Sequence, residues 1–171
     1  SLQEHLFEQG YSSLAIDLRG HGESITDLQW HKFDESHYQG MHYDVDAAID
    51  YVKEGGYSRV IVVGASIGAN LALQAVVNHP EVRSAILLSP GLEYRGISTE
   101  EVIHDLTKEI LVITAVRDEY SSSSSRFLSR TQPDLITYNE IEGTKSHGTT
   151  LLDIDIGIDN YMYEWILNQF E

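Results

Sequence analysis

The chain has 171 residues, of which 42% are hydrophobic and 22% charged, as expected of one globular domain. There are 11 Lys and Arg residues against 27 Asp and Glu residues, a formal net charge of −16. This charge argues against a nucleic-acid or anionic-membrane partner, because both require a basic surface. Cysteine is absent, which excludes disulfides, thiolate–metal sites and a cysteine nucleophile.

The first third of the chain predicts two helices and one short strand. A helix is expected over Leu2–Gln9, with an apolar face made by Leu2, Leu6 and Phe7. A strand is expected over Leu14–Ile16, a glycine-rich polar loop over residues 17–24, an irregular excursion over residues 25–40 and a helix over Met41–Glu54.

Strands then alternate with helices to the end of the chain. The predicted strands are Arg59–Val63, Ala85–Leu88, Ile110–Ala115 and Leu135–Ile141. The predicted helices are Ile67–Asn78, Thr99–Leu106, Tyr120–Ser129 and Ile156–Phe170, and residues 143–149 are a predicted loop. This alternation predicts a single α/β domain over residues 1–171, with a mostly parallel sheet and helices on both faces.

Two segments allow other interpretations. Val60–Val77 carries no charge, but its first part is β-branched and its second part is rich in Ala and Leu. A buried strand followed by a buried helix explains that change better than a membrane span. The run Ser121–Ser125 has the composition of a linker, yet the apolar pair Phe127-Leu128 that follows favours a helix start or a mobile loop within the domain.

The segment Gly64-Ala65-Ser66-Ile67-Gly68 has the form G-x-S-x-G and lies between a predicted strand and a predicted helix. That context is typical of a tight turn that presents a serine hydroxyl at the carboxyl edge of a sheet. The N-terminus of the following helix favours a developing negative charge there. The alternative is that the small residues only allow the helix to pack closely on its strand.

A serine nucleophile needs a base, which a carboxylate orients. Of the eight histidines, His104 and His147 follow the serine helix without being attached to it. His104 is in a predicted helix, whereas His147 is in a glycine-flanked loop after the last strand. Asp118 follows the preceding strand and is the expected acid, with Glu119 as the alternative.

One polar region contains several residues that could ligate a metal. The residues with suitable ligands are His31, Asp34, His37, His42 and Asp44. Their spacing matches no metal-binding signature, so a solvated excursion near the rim of the pocket is favoured. We expect no metal and no cofactor.

The motifs together resemble the α/β-hydrolase superfamily, especially small esterase-like and dienelactone-hydrolase-like members. They occur in the family's order, as Asp17–Ser24, Gly64–Gly68, Arg117–Glu119 and His147-Gly148. The resemblance implies that Ser66 is the nucleophile, Asp118 the acid and His147 the base, with the backbone N–H of Ile67 as one oxyanion donor. It implies a structural role for the loop over residues 17–24, so His21 is not expected to be the base.

The sequence departs from the family pattern at its start. Family members begin with three further strands, and the loop after the third supplies the second oxyanion donor; nothing in this sequence matches them. Either the Leu14 strand pairs directly with the Arg59 strand, or upstream sequence is missing. A fragment is expected, with a Leu14 strand that lacks a neighbour and favours self-association.

The expected activity is hydrolysis of a small carboxylic ester through an acyl-enzyme, in a cytoplasmic protein. The alternatives are a serine peptidase or thioesterase with the same three residues, and a non-catalytic binding or scaffold protein.

Overall fold

The computed structural model describes residues 2–25, 28–154 and 157–170. This part of the chain contains a parallel sheet of four strands in the order β1-β2-β5-β6, and a separate antiparallel hairpin of β3 and β4. The strands are β1 (Val60–Ala65), β2 (Val82–Leu88), β3 (Glu93–Tyr94), β4 (Ile97–Ser98), β5 (Ile110–Ala115) and β6 (Ile136–Ile141). The predicted α/β fold with a parallel sheet is confirmed.

Helices cover both faces of this sheet. They are α1 (Leu2–Glu8), α2 (Glu35–Gln39), α3 (His42–Glu54), α4 (Ile67–Asn78), α5 (Glu119–Thr131) and α6 (Ile158–Asn168). Single turns of 3-10 helix lie at Trp30–Lys32, Ile103–Asp105 and Gly148–Leu151. The predicted helix over the serine run is confirmed as part of α5.

Side chains of the central strands alternate between two apolar clusters, because successive residues of a strand point to opposite faces. On β2, Ala85 and Leu87 pack on the face that α3, α4 and α5 cover. Ile86 and Leu88 point the other way, into a cluster with Trp165 of α6. The central strands β2 and β5 are therefore buried on both sides, as their near-continuous apolar sequences require.

The strand predicted at Leu14–Ile16 is wrong. These residues form no strand, and Leu14 and Ile16 are 47% and 43% exposed. A strand needs a hydrogen-bonding neighbour, and within the described residues the sheet ends at β1, which pairs with β2 alone. The unpaired edge thus belongs to β1, and self-association stays a prediction.

Three smaller expectations are also corrected. Thr99–Leu106 forms only the turn Ile103–Asp105, because the Thr99 hydroxyl donates to the carbonyl of Gly91 rather than capping a helix. Phe7 is 78% exposed, so Leu6 is the residue that α1 buries. Residues 25–40, predicted as an irregular excursion, contain α2 and the turn Trp30–Lys32. Residues 26–27 of this segment lie outside the described residues.

The uncharged stretch from Val60 to Val77 forms β1 and most of α4, as predicted. Across the described ranges, no helix is both long enough and apolar enough to cross a membrane. The last helix begins at Ile158, and Ile156, where the sequence placed its start, lies outside the described residues.

Candidate active site

Ser66 sits at the tight turn between β1 and α4. Its backbone has φ of 55°, a left-handed value that is uncommon for a residue with a side chain. The turn also requires glycine at position 64, since a Cβ there would lie 2.0 Å from the carbonyl oxygen of Gly68. A Cβ on Gly68 would meet no atom within 4 Å, so only the first glycine of the motif is required by space.

The structure brings Ser66, His147 and Asp118 into one hydrogen-bonded chain. The Nε2 atom of His147 lies 2.7 Å from the hydroxyl oxygen of Ser66. The Nδ1 atom of the same ring lies 2.6 Å from a carboxylate oxygen of Asp118. The His147 side chain is 42% exposed and that of Asp118 is 15% exposed, so the carboxylate lies behind the ring and the ring faces solvent.

The loops that carry these side chains follow neighbouring strands. Asp118 lies between β5 and α5, and His147 lies between β6 and the turn Gly148–Leu151. The hydroxyl of Thr150 accepts a hydrogen bond from the N–H of His147 and donates one to its carbonyl. The backbone of His147 is therefore held on both sides.

The alternatives for base and acid lie elsewhere. His104 is an exposed residue of the turn Ile103–Asp105, and its carbonyl accepts from Gln132. Glu119 is exposed and begins α5. His21 contacts the carbonyl of Arg19 and stacks on Trp30.

The N–H of Ile67 is the first of helix α4. Among the described residues it has no hydrogen-bond acceptor, as is usual for the first amide of a helix. An amide that directly follows the serine can donate to an oxygen bound at that position, and the positive end of the helix dipole adds to the attraction.

Sequence reasoning missed three residues beside His147. Tyr94 approaches the His147 ring edge-on, with 6.3 Å between the ring centres. The hydroxyl of Ser121 lies 3.4 Å from Nδ1 of His147, and the hydroxyl of Ser89 accepts from the N–H of Gly148. The serine run was the only sequence signal near any of them, and it did not indicate which serine faces the site.

Four of the five residues with suitable metal ligands have other partners. The carboxylate of Asp34 caps α2 and contacts His37. Asp44 pairs with Arg19 through three hydrogen bonds from the guanidinium. The His42 ring contacts the carbonyl of Gln39. Within residues 2–25, 28–154 and 157–170, no group of three or more His, Cys, Asp or Glu side chains could hold a metal ion.

Comparison with known families shows which family the chain belongs to. Residues 1–148 match the family Hydrolase_4, described as serine aminopeptidase, S33. The chain belongs to this family. Hydrolase_4 is part of the α/β-hydrolase superfamily, as the resemblance of the motifs implied.

Relatives of this Hydrolase_4 member include a Haemophilus influenzae protein named "Putative esterase/lipase". The two sequences are 33% identical over 103 residues, which cover 58% of this chain and 32% of that protein. A Cyberlindnera fabianii protein named "Probable alcohol acetyltransferase" is 34% identical over 82 residues, 47% of this chain and 20% of that protein. The chain thus matches about a third or less of the length of these two relatives.

Solved structures share the fold at low sequence identity. An esterase from Pyrococcus furiosus superposes with a TM-score of 0.75 and 16% identity, over 98% of this chain and 74% of that one. At this level of identity the likeness extends to the fold alone.

Proposed function

We propose that the protein is a serine hydrolase that cleaves small carboxylic esters through an acyl-enzyme. The observation that carries the proposal is the hydrogen-bonded chain Ser66–His147–Asp118, with 2.7 Å from Ser66 Oγ to Nε2 and 2.6 Å from Nδ1 to Asp118. Membership of a hydrolase family and the name of the Haemophilus influenzae relative support it.

In the first step the Ser66 oxygen attacks the ester carbonyl carbon while its proton passes to Nε2 of His147. Asp118 keeps the other proton of the ring on Nδ1, so that Nε2 is free to accept. The carbonyl oxygen becomes an oxyanion, and the N–H of Ile67 donates to it. The bond to the alcohol oxygen then breaks, and the alcohol leaves with the proton from Nε2.

In the second step water replaces the alcohol. Nε2 takes a proton from water as the water oxygen attacks the acyl carbon, and the bond between that carbon and Ser66 Oγ breaks. The proton returns to Ser66. The sum is ester plus water giving carboxylic acid plus alcohol, with the enzyme restored.

The surroundings of the site support a small substrate. The segment between β2 and β5 adds only the hairpin β3–β4 and one helical turn. The His147 ring remains 42% exposed, so a short acyl group reaches Ser66 without a deep channel. We therefore assign short-chain esters as the substrate class.

Peptide cleavage is the alternative that the family description favours, since the matching family is described as serine aminopeptidase, S33. An amide requires protonation of a more basic leaving nitrogen by the same His147. Ester and anilide substrates with one acyl group separate the two activities directly.

The test compares p-nitrophenyl acetate, p-nitrophenyl decanoate and alanine p-nitroanilide, and measures labelling by a fluorophosphonate probe. We expect turnover of the acetate above the other two, and stoichiometric labelling. Ser66→Ala should abolish both, whereas Ser58→Ala, which changes an exposed serine just before β1, should alter neither. Folded protein that neither labels nor turns over any substrate would instead favour a binding protein.

A further inference from the structure

The serine run at the start of α5 is a buried polar surface. Ser121, Ser122 and Ser124 are each 2% exposed or less. Ser122 donates to the carboxylate of Glu140, and Ser124 accepts from the N–H of Leu92. Ser121 alone of these three contacts His147, at 3.4 Å from Nδ1.

The hydroxyl of Tyr94 completes a polar cluster behind the His147 ring. It lies 3.1 Å from the Ser121 hydroxyl oxygen and 3.4 Å from the carbonyl oxygen of Ser89, so its single proton can be donated to either. Ser121 donates to the same carbonyl over 3.3 Å. With its proton so used, the Ser121 oxygen presents a lone pair to the Nδ1–H of His147.

Tyr94 stays a proton donor in this position. Burial raises the pKa of its phenol, and the charge of Asp118 raises it further, while hydrogen bonding to Ser121 and Ser66 opposes the rise. The phenol is therefore neutral across the working range of a hydrolase. Among the described residues, Asp118 and Tyr94 are the titratable groups recorded against the His147 ring from the elements packed on it.

Polar contacts hold the hairpin that carries Tyr94 on two helices. Asn70 of α4 donates to the carbonyl of Ile97 over 2.8 Å and accepts from the N–H of Gly91 over 3.0 Å. On the other side, the Tyr120 hydroxyl accepts from the N–H of Glu93 and donates to its carbonyl. Gly91 leaves room for the rings of Tyr94 and Tyr120, which a Cβ there would approach to 2.7 Å.

We propose that Ser121 and Tyr94 are positioning residues for His147. The Ser121 hydroxyl gives Nδ1–H a second acceptor, the Tyr94 hydroxyl orders Ser121, and together they fix the ring with Nε2 toward Ser66. The inference rests on the proposed function for its catalytic meaning. The hydrogen bonds to Asp118 and Ser66 lie on opposite sides of the ring and leave it free to rotate about the line between them. A second acceptor on a buried helix removes that freedom, and the hydroxyl pair is ordered by the Ser89 carbonyl before any substrate binds.

The test uses Ser121→Ala, Tyr94→Phe and the double variant, with Ser122→Ala as the matched control. Ser122 is an equally buried serine of the same helix, but its hydroxyl contacts Glu140. We expect Ser121→Ala to lower kcat for p-nitrophenyl acetate about 10-fold with little change in KM, because ring orientation acts on the chemical step. Ser122→Ala should leave kcat within about twofold.

The double variant tests whether the two hydroxyls act together. Residues of one network give non-additive effects, so we expect Ser121→Ala/Tyr94→Phe to lose no more than the worse single variant. Tyr94→Phe/Ser122→Ala should show the product of its single effects. Multiplicative losses in the first pair, or equal losses in Ser121→Ala and Ser122→Ala, would overturn the proposal.

Two readouts separate this inference from the proposed function. The rate of fluorophosphonate labelling reports the reactivity of Ser66 without any ester substrate, and it should fall in Ser121→Ala. The proton NMR line of His147 Nδ1–H needs no activity; it should move in Ser121→Ala and stay in place in Ser122→Ala. An unmoved line in Ser121→Ala rejects the positioning role, whereas absent ester turnover with a moved line rejects only the ester substrate.

Discussion

The N–H of Gly148 donates a hydrogen bond of 2.9 Å to the hydroxyl of Ser89. Gly148 directly follows His147, and Ser89 directly follows β2, so this contact fastens the histidine loop to the central sheet. Ser89 is fully buried and has φ of 52°, a conformation in which its side chain and its carbonyl both face the site. A strained backbone at such a position is typical of residues that hold functional groups in place.

We predict that Ser89→Ala lowers kcat about 10-fold and costs about 1–2 kcal/mol of unfolding free energy, because the buried N–H of Gly148 loses its acceptor. The control is Ser84→Ala, on β2 itself, whose hydroxyl donates to the Glu109 carbonyl away from the site. That variant should lose similar stability and keep its kcat. Ester turnover and urea unfolding of both variants test this prediction. Equal kcat values for Ser89→Ala and Ser84→Ala would contradict the role of Ser89 in fastening the histidine loop.

Asp118→Asn should lower kcat by about 10⁴-fold while the protein stays folded, because an amide no longer selects the tautomer with its proton on Nδ1. Glu119→Gln changes the neighbouring exposed carboxylate and should leave kcat within about twofold. Steady-state kinetics and circular dichroism of the two variants check this. If Asp118→Asn keeps its kcat and Glu119→Gln loses activity, the acid is Glu119 rather than Asp118.

Local signals were sufficient for the central elements. The predicted bounds of β5 (Ile110–Ala115) and of α4 (Ile67–Asn78) are those observed, because each is a strongly apolar run with a clear end. The candidate residues Ser66, Asp118 and His147 were found because each follows a predicted strand. Carboxyl ends of parallel strands meet at one edge, so order along the chain implied proximity in space.

The remaining features depend on contacts between distant residues. The prediction of a strand at Leu14–Ile16 failed because the local sequence favours a strand, whereas a hydrogen-bonding neighbouring strand decides whether one forms. The hairpin β3–β4 has strands of two residues, too short for any periodicity. The contact between Ser89 and Gly148 joins residues 59 apart, and nothing in either local sequence indicates the other.

The two glycines of the G-x-S-x-G motif should respond in opposite ways to alanine. Gly64→Ala places a Cβ 2.0 Å from a backbone oxygen, which cannot move without shifting α4, so we expect a loss of about 3 kcal/mol or an insoluble protein. Gly68→Ala meets open space within a helix and should stabilise the protein by up to about 1 kcal/mol. Thermal unfolding of both variants measures this. Equal destabilisation would show that space at the turn does not distinguish the two positions.

Asn70 links the helix that follows Ser66 to the hairpin that carries Tyr94. Its fully buried amide donates to the Ile97 carbonyl and accepts from the Gly91 N–H, so Asn70→Ala leaves both backbone groups unpaired. We predict a loss of about 2–3 kcal/mol in unfolding free energy, together with a lower kcat, since the hairpin loses its attachment to α4.

Asn78 is the matched control, an exposed asparagine at the end of the same helix. Asn78→Ala should change stability by less than about 0.5 kcal/mol and leave kcat unaltered. Urea unfolding and ester turnover, measured on both variants, compare one residue type in two settings. If Asn70→Ala loses stability but keeps its full kcat, the hairpin does not need this attachment to hold Tyr94 beside His147. The positioning role of Tyr94 would then depend on the Tyr120 contacts with Glu93 alone.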